Sequence, residues 1–149
     1  MNAGERIMGF KKILHRLDGS HASFEAFRKT LALATACGAE VHIVVVEKVP
    51  HYYGDVGDPD EAEQTVNTNS SRIADIAQEM ARRENVSIKA HVVVGPYVKS
   101  LLRLISAEQC DLLVIASASR EPTLCRRTSG KNARLRLVNR MPCSVLVVD

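Results

Sequence analysis

Residues Asp111–Ser119 read DLLVIASAS: a carboxylate, five apolar residues in a row, then a run of small side chains. Five apolar residues are too few for a helix. With no polar residue alternating among them, they describe a strand covered on both faces, as in a parallel sheet. Val41–Val46, VHIVVV, repeats the signal. Three further short apolar stretches complete the set, Lys12–Leu17, Val86–Val94 and Cys143–Val148. Val86, Ile88, Ala90 and Val92 alternate with polar neighbours, which suits a strand near an edge of the sheet.

Helical patterns fill the gaps. Ser20 or Ser23 opens a helix that Gly38 closes, with Phe24, Phe27, Leu31 and Ala34 on one face. Ile73, Ile76, Ala77 and Met80 give a second helix, stopped by Asn85. Val98, Leu101, Leu102 and Ile105 give a third, and Lys131 to Arg140 a fourth that points Leu135 and Val138 inward before Pro142. Strands alternating with helices predict an α/β fold, a doubly wound open sheet of five parallel strands with helices on both faces. Residues Glu47 to Asn69, rich in Pro, Gly, Asp and Tyr, read as a long irregular region, a loop that leads into an extended, polar first turn of the second helix and serves either as a lid or as a surface insertion.

Composition bounds the rest. The 149 residues suit one domain, 1–149, and 46% hydrophobic with 25% charged residues is ordinary globular composition that excludes disorder. No apolar run approaches the ~20 residues of a membrane helix, so no membrane is expected. MNAGERIMGFKK lacks an apolar secretory core, so the expected location is cytoplasmic. The four cysteines, Cys37, Cys110, Cys125 and Cys143, form no C-x-x-C pair and are expected as free, mostly buried thiols. A net charge of +3 is too small to imply nucleic acid. Seven of the basic residues nevertheless fall between Arg120 and Arg140 against one acid, Glu121, a stretch suited either to a solvated face or to phosphates and an acidic partner.

Ligands of open α/β sheets bind beyond the carboxyl ends of the strands. After the first strand, Asp18 can meet a ribose or a base edge, or it can form a turn with Ser20 and cap the helix. Beyond the fourth strand, Ala116-Ser117-Ala118-Ser119-Arg120 leaves room for an anion near the backbone. Thr128-Ser129-Gly130-Lys131 places a helix N-terminus where phosphate oxygens fit, or merely caps that helix with Ser129.

The chain resembles the universal stress protein family over essentially its whole length, through KKILHRLDGS, Gly95-Pro96, DLLVIASAS and the closing PCSVLVV. The resemblance implies strand order 3-2-1-4-5, bringing Asp18 beside Ala116 at the switch point. Nucleotide-binding members carry G-x-x-G, nine residues, then G-S or G-T. Laid over this sequence, those glycines become Ala116, Ser119 and the Ser129-Gly130 pair, so all three positions depart. A two-residue insertion would move the last position to Lys131-Asn132. The resemblance also implies that Asp18 contacts the nucleoside and Val46 flanks the adenine. The departures weaken a phosphate loop, whereas Arg120, Arg126, Arg127 or Lys131 can pair with a triphosphate.

Two functions follow. One is a regulatory module binding ATP or another adenine nucleotide between the first and fourth strands, with magnesium entering only alongside ATP. The other is a stress-response protein that binds no nucleotide and acts on a protein partner. No catalytic role is expected: P-loop, G-x-G-x-x-G and G-x-S-x-G patterns are missing, and only Asp18 is placed to act as a base, so any hydrolysis is slow. No metal site is expected, because His15, His21, His42, His51 and His91 show no ligand spacing and His42 and His91 fall in strands. An apolar C-terminal edge strand invites a second copy, and the family pairs there, so a homodimer is expected with Val145 and Val147 near the interface and Leu146 on the opposite face.

Overall fold

In a computed structural model, residues 9–47, 59–117 and 137–149 are described, the side chains of residues 59–68 excepted. The order of elements is β1 (Lys12–Arg16), α1 (His21–Cys37), β2 (Glu40–Glu47), α2 (Pro59–Arg83), β3 (Ile88–Val94), α3 (Tyr97–Glu108), β4 (Leu112–Ala116) and β5 (Ser144–Val148). Residues 137–140, just before β5, are helical. All strand pairs are parallel in the order β3-β2-β1-β4-β5, as expected.

Each face of the sheet carries its own core. Ile13, Leu17, Val41, Ile43, Val45, Leu112 and Val114 point towards α1 and α2, meeting Phe27, Leu31, Ala34, Ile73, Ala74, Ala77 and Ala81. Leu14, Val44, Leu113 and Ile115 point the other way, against Tyr97, Leu101, Leu104 and Ile105 of α3 and against Leu137 and Met141. This two-sided burial is why β2 and β4 lack polar alternation. The Asp111 carboxylate ties the sheet at its lower end, accepting from the amides of Lys11 and Lys12 at 2.9 Å each and so fixing β1 against β4.

Turn chemistry agrees with the residues. Ser20 caps α1, its hydroxyl accepting from the Ser23 amide, and left-handed Gly38 ends the helix by bonding the Ala34 carbonyl. Asn85 takes the left-handed stop expected of it, with φ 57°. Gly19 is required twice over: its φ is +85°, and a Cβ there would lie 2.9 Å from Ile73 Cδ1.

Three expectations need correction. Residues 59–69, read as a loop with only a polar first turn of helix at its end, belong wholly to α2, for which Pro59 and the acids Asp60, Glu61 and Glu63 supply an ordinary helix start. Ile76 is exposed, and the buried stripe of α2 runs instead through Ile73, Ala74, Ala77 and Ala81, whose small side chains let the helix lie close to the sheet. Val138 is also exposed, while its neighbour Leu137 is buried, because one residue turns a helix by about 100°. Leu135 lies outside the described residues.

Candidate functional site

The upper end of the sheet holds the expected switch point between β1 and β4. Register pairs Ile13 with Leu112, Leu14 with Leu113 and His15 with Val114, so the ends of β1 and β4 emerge side by side. Order reverses between these two strands, leaving room above them. Asp18 stands one turn past β1, its side chain only 11% exposed.

The turn-forming reading of Asp18 is the one seen in the geometry. Its Oδ1 accepts from the Ser20 amide at 2.8 Å and the Ser20 hydroxyl at 2.5 Å, making a turn that leads into α1. Oδ2 lies 3.8 Å from Arg16 Nη1. Burial would raise the carboxyl pKa, but the Ser20 hydrogen bonds, a further one from Ser23 and the Arg16 charge outweigh it and hold the group below the usual carboxylate range. Asp18 is therefore a fixed, ionised acceptor.

Arg16 is a feature the sequence reading missed. It is buried, with its guanidinium 4.6 Å from the centre of the Tyr97 ring, the first residue of α3. The signal was present in KILHRL, where a charged residue interrupts a strand otherwise bound for the core. Strand parity sends Arg16 to the α3 face and His15 to the α1 face, so the cation sits directly beneath Asp18. Glu47 was missed as well: buried at the tip of β2, its Oε1 has no hydrogen-bond partner among the described residues.

Val46 is half-buried at the top of β2, on the α3 face. Ala116 ends β4 and is buried. The next amide, Ser117 N–H, donates to the Val148 carbonyl at 2.8 Å and extends the β4–β5 pairing, so this donor of the small-residue run serves the sheet. Ser119, Arg120, Ser129, Gly130 and Lys131, with Arg126, Arg127 and Cys125, lie outside the described residues. Of the described cysteines, Cys37, Cys110 and Cys143 are free as expected, but only Cys110 is buried.

The Universal stress protein family model matches residues 9–149. The chain belongs to the universal stress protein family. A search of curated proteins finds no match. Among solved structures, a universal stress protein family member from Burkholderia pseudomallei is 23% identical, over 93% of this chain and 95% of its own, with a TM-score of 0.74. A universal stress protein in complex with cAMP is also 23% identical, over 95% and 98%, at 0.71. A family protein from Arabidopsis thaliana with AMP bound is 13% identical, over 93% and 90%, at 0.60. These likenesses extend the family's fold to this universal stress protein along nearly its full length.

One expectation about the histidines changes. His42 and His91 do lie in strands, but with Glu108 they form a convergent group whose ligand atoms all fall within 4.8 Å of one another. Linear spacing hid it, since His42 and His91 are 49 residues apart and are joined only by the pairing of β2 with β3.

Proposed function

We propose that this universal stress protein is a regulatory binding module that holds an adenine nucleotide, ATP in the first instance, in the crevice between β1 and β4. The observation that carries the reading is Asp18, an ionised carboxylate held at the strand tip with one oxygen engaged by Ser20 and the other towards Arg16. Such an acceptor suits a ribose hydroxyl or the adenine amino group, with Val46 flanking the base. Solved relatives carrying cAMP and AMP support the ligand class. On this reading Ala116, Ser119, Arg120, Ser129, Gly130 and Lys131 surround the phosphates, and magnesium arrives only with ATP. The role is binding rather than turnover, and the compartment is the cytoplasm; among the described residues no helix is long and apolar enough to cross a membrane.

The test is to denature freshly purified protein, identify released nucleotide by mass, and titrate the stripped protein with ATP and AMP. Released adenine nucleotide is expected. Asp18→Asn keeps the Ser20 turn but turns the second oxygen into a donor, and it should weaken binding by ~10–100-fold, the worth of one charge-assisted hydrogen bond. No nucleotide and no binding at millimolar ATP would overturn the reading.

A second reading is a dimeric stress-response protein that binds no nucleotide and acts through its surface on a protein partner, and β5 bears on the dimer in both. This strand closes one edge of the sheet and leaves Leu146 and Val147 exposed. We propose a second copy of the chain as the occupant of this edge under either reading. Light scattering at micromolar concentration should give twice the chain mass, and Val147→Lys, on the side expected to face the partner, should return it to one. A wild-type monomer would rule the dimer out.

A further inference from the structure

We propose that His42, His91 and Glu108 form a binding site for a divalent transition-metal ion of the zinc type, at the end of the sheet opposite the nucleotide crevice. The three come from different elements. His42 is the third residue of β2, His91 belongs to the adjacent edge strand β3, and Glu108 ends α3, which covers this face. Four residues separate His42 from Val46, or about 13 Å of strand.

The geometry is that of two imidazoles aimed at each other. His42 Nδ1 and His91 Nε2 are 2.9 Å apart, the ring planes are within 5° of parallel, and the ring centres are 5.2 Å apart. Those values put the nitrogens on the line between the rings, so a lone pair of one faces the N–H of the other. Glu108 Oε2 approaches His42 Nδ1 to 3.9 Å. His42 is fully buried, while His91 and Glu108 reach the surface and leave a path from solvent.

A fourth group fixes which nitrogen is available. Glu40 Oε1 lies 2.8 Å from His42 Nε2 and 3.2 Å from Lys89 Nζ. The carboxylate takes the Nε2–H, leaving the Nδ1 lone pair directed at His91 and Glu108. A carboxylate behind a histidine in this manner is the usual outer support of a metal-bound imidazole. Lys89 is matched by the same carboxylate, so its charge is balanced beside the site.

Two imidazoles and a carboxylate make a three-ligand set with an open position, a combination that suits zinc, cobalt or nickel rather than calcium or magnesium. Metal–ligand bonds of about 2.0–2.2 Å place tetrahedral donors roughly 3.3–3.5 Å apart. The two nitrogens must part by a few tenths of an ångström and each ring must tilt by roughly 35°, so that both lone pairs meet the ion off the line between them, and Glu108 closes in by a side-chain rotation. The ion replaces the proton shared between the rings, and His91 carries its proton on Nδ1 instead.

The test uses the whole chain, stripped with chelator and titrated with Co(II) alone, then displaced with Zn(II). The expected result is one equivalent of Co(II) giving the intense visible bands of four- or five-coordinate cobalt without thiolate charge transfer, lost on adding Zn(II). His91→Gln changes a half-buried edge residue and keeps all four cysteines; it should lower Zn(II) affinity by at least ~100-fold, and Glu40→Gln by about 10–100-fold. Circular dichroism and a retained urea midpoint check that both variants fold. A wild-type chain that takes up no Co(II), or Co(II) bands unchanged in His91→Gln, would overturn the proposal.

Discussion

Phe27→Ala is expected to lower the unfolding free energy by about 3–5 kcal/mol, the usual cost of removing a buried aromatic ring. Phe27 is 0% exposed at the centre of the α1 face, among Ile13, Leu31, Ile43 and Val114, with its ring tilted 55° against His15 at 5.2 Å between centres. Domains of this size are stable by roughly 5–15 kcal/mol, so the variant should unfold at far lower urea and sit near the limit at 37 °C. Phe27→Leu keeps most of the volume and should lose much less. Urea midpoints of the three proteins decide it: a loss below about 1 kcal/mol in Phe27→Ala would mean that the ring is not packed as described.

Acidification should destabilise the fold through His15. The ring is fully buried, with Nδ1 2.9 Å from the Thr30 hydroxyl and Nε2 3.2 Å from the Ser23 carbonyl. A carbonyl can only accept, so Nε2 carries the proton and Nδ1 accepts from Thr30, which makes the ring neutral. Burial is the main cause that lowers its pKa from 6.5 to about 4, against a smaller opposing effect of the Ser23 carbonyl. Between those values the unfolded chain binds a proton that the native chain refuses. Stability is therefore complete above about pH 6.5, falls as the pH drops towards 4, and is lower by about 3 kcal/mol there. His15→Gln retains a donor and an acceptor but cannot titrate. Urea midpoints at pH 7.5 and 4.5 should fall more steeply for the wild type than for this variant; equal slopes would exclude His15 as the cause. Asp18 and Glu40, both held below the usual range, lose stability in the same direction at lower pH, equally in the two proteins.

The sequence by itself determined the class of fold. Apolar runs at Val41–Val46 and Leu112–Ala116 can be satisfied only between two layers of helix, and Ser20, Gly38 and Asn85 punctuate the chain through local backbone preferences that need no tertiary context. The position of Asp18 at a strand tip was legible as well, since a strand tip is a place in the topology. Tertiary structure decided what depends on which residues meet. Ile76 and Val138 satisfy a helical period yet face solvent, because the partner surface, and not the period, selects the buried stripe. Arg16 beneath Asp18, and His42 with His91 and Glu108, join residues that parallel pairing and the α3 crossover bring together from distant parts of the chain. Period and turn chemistry act over a few residues and can be read along the chain, whereas a ligand set assembled across strands exists only once their register is fixed.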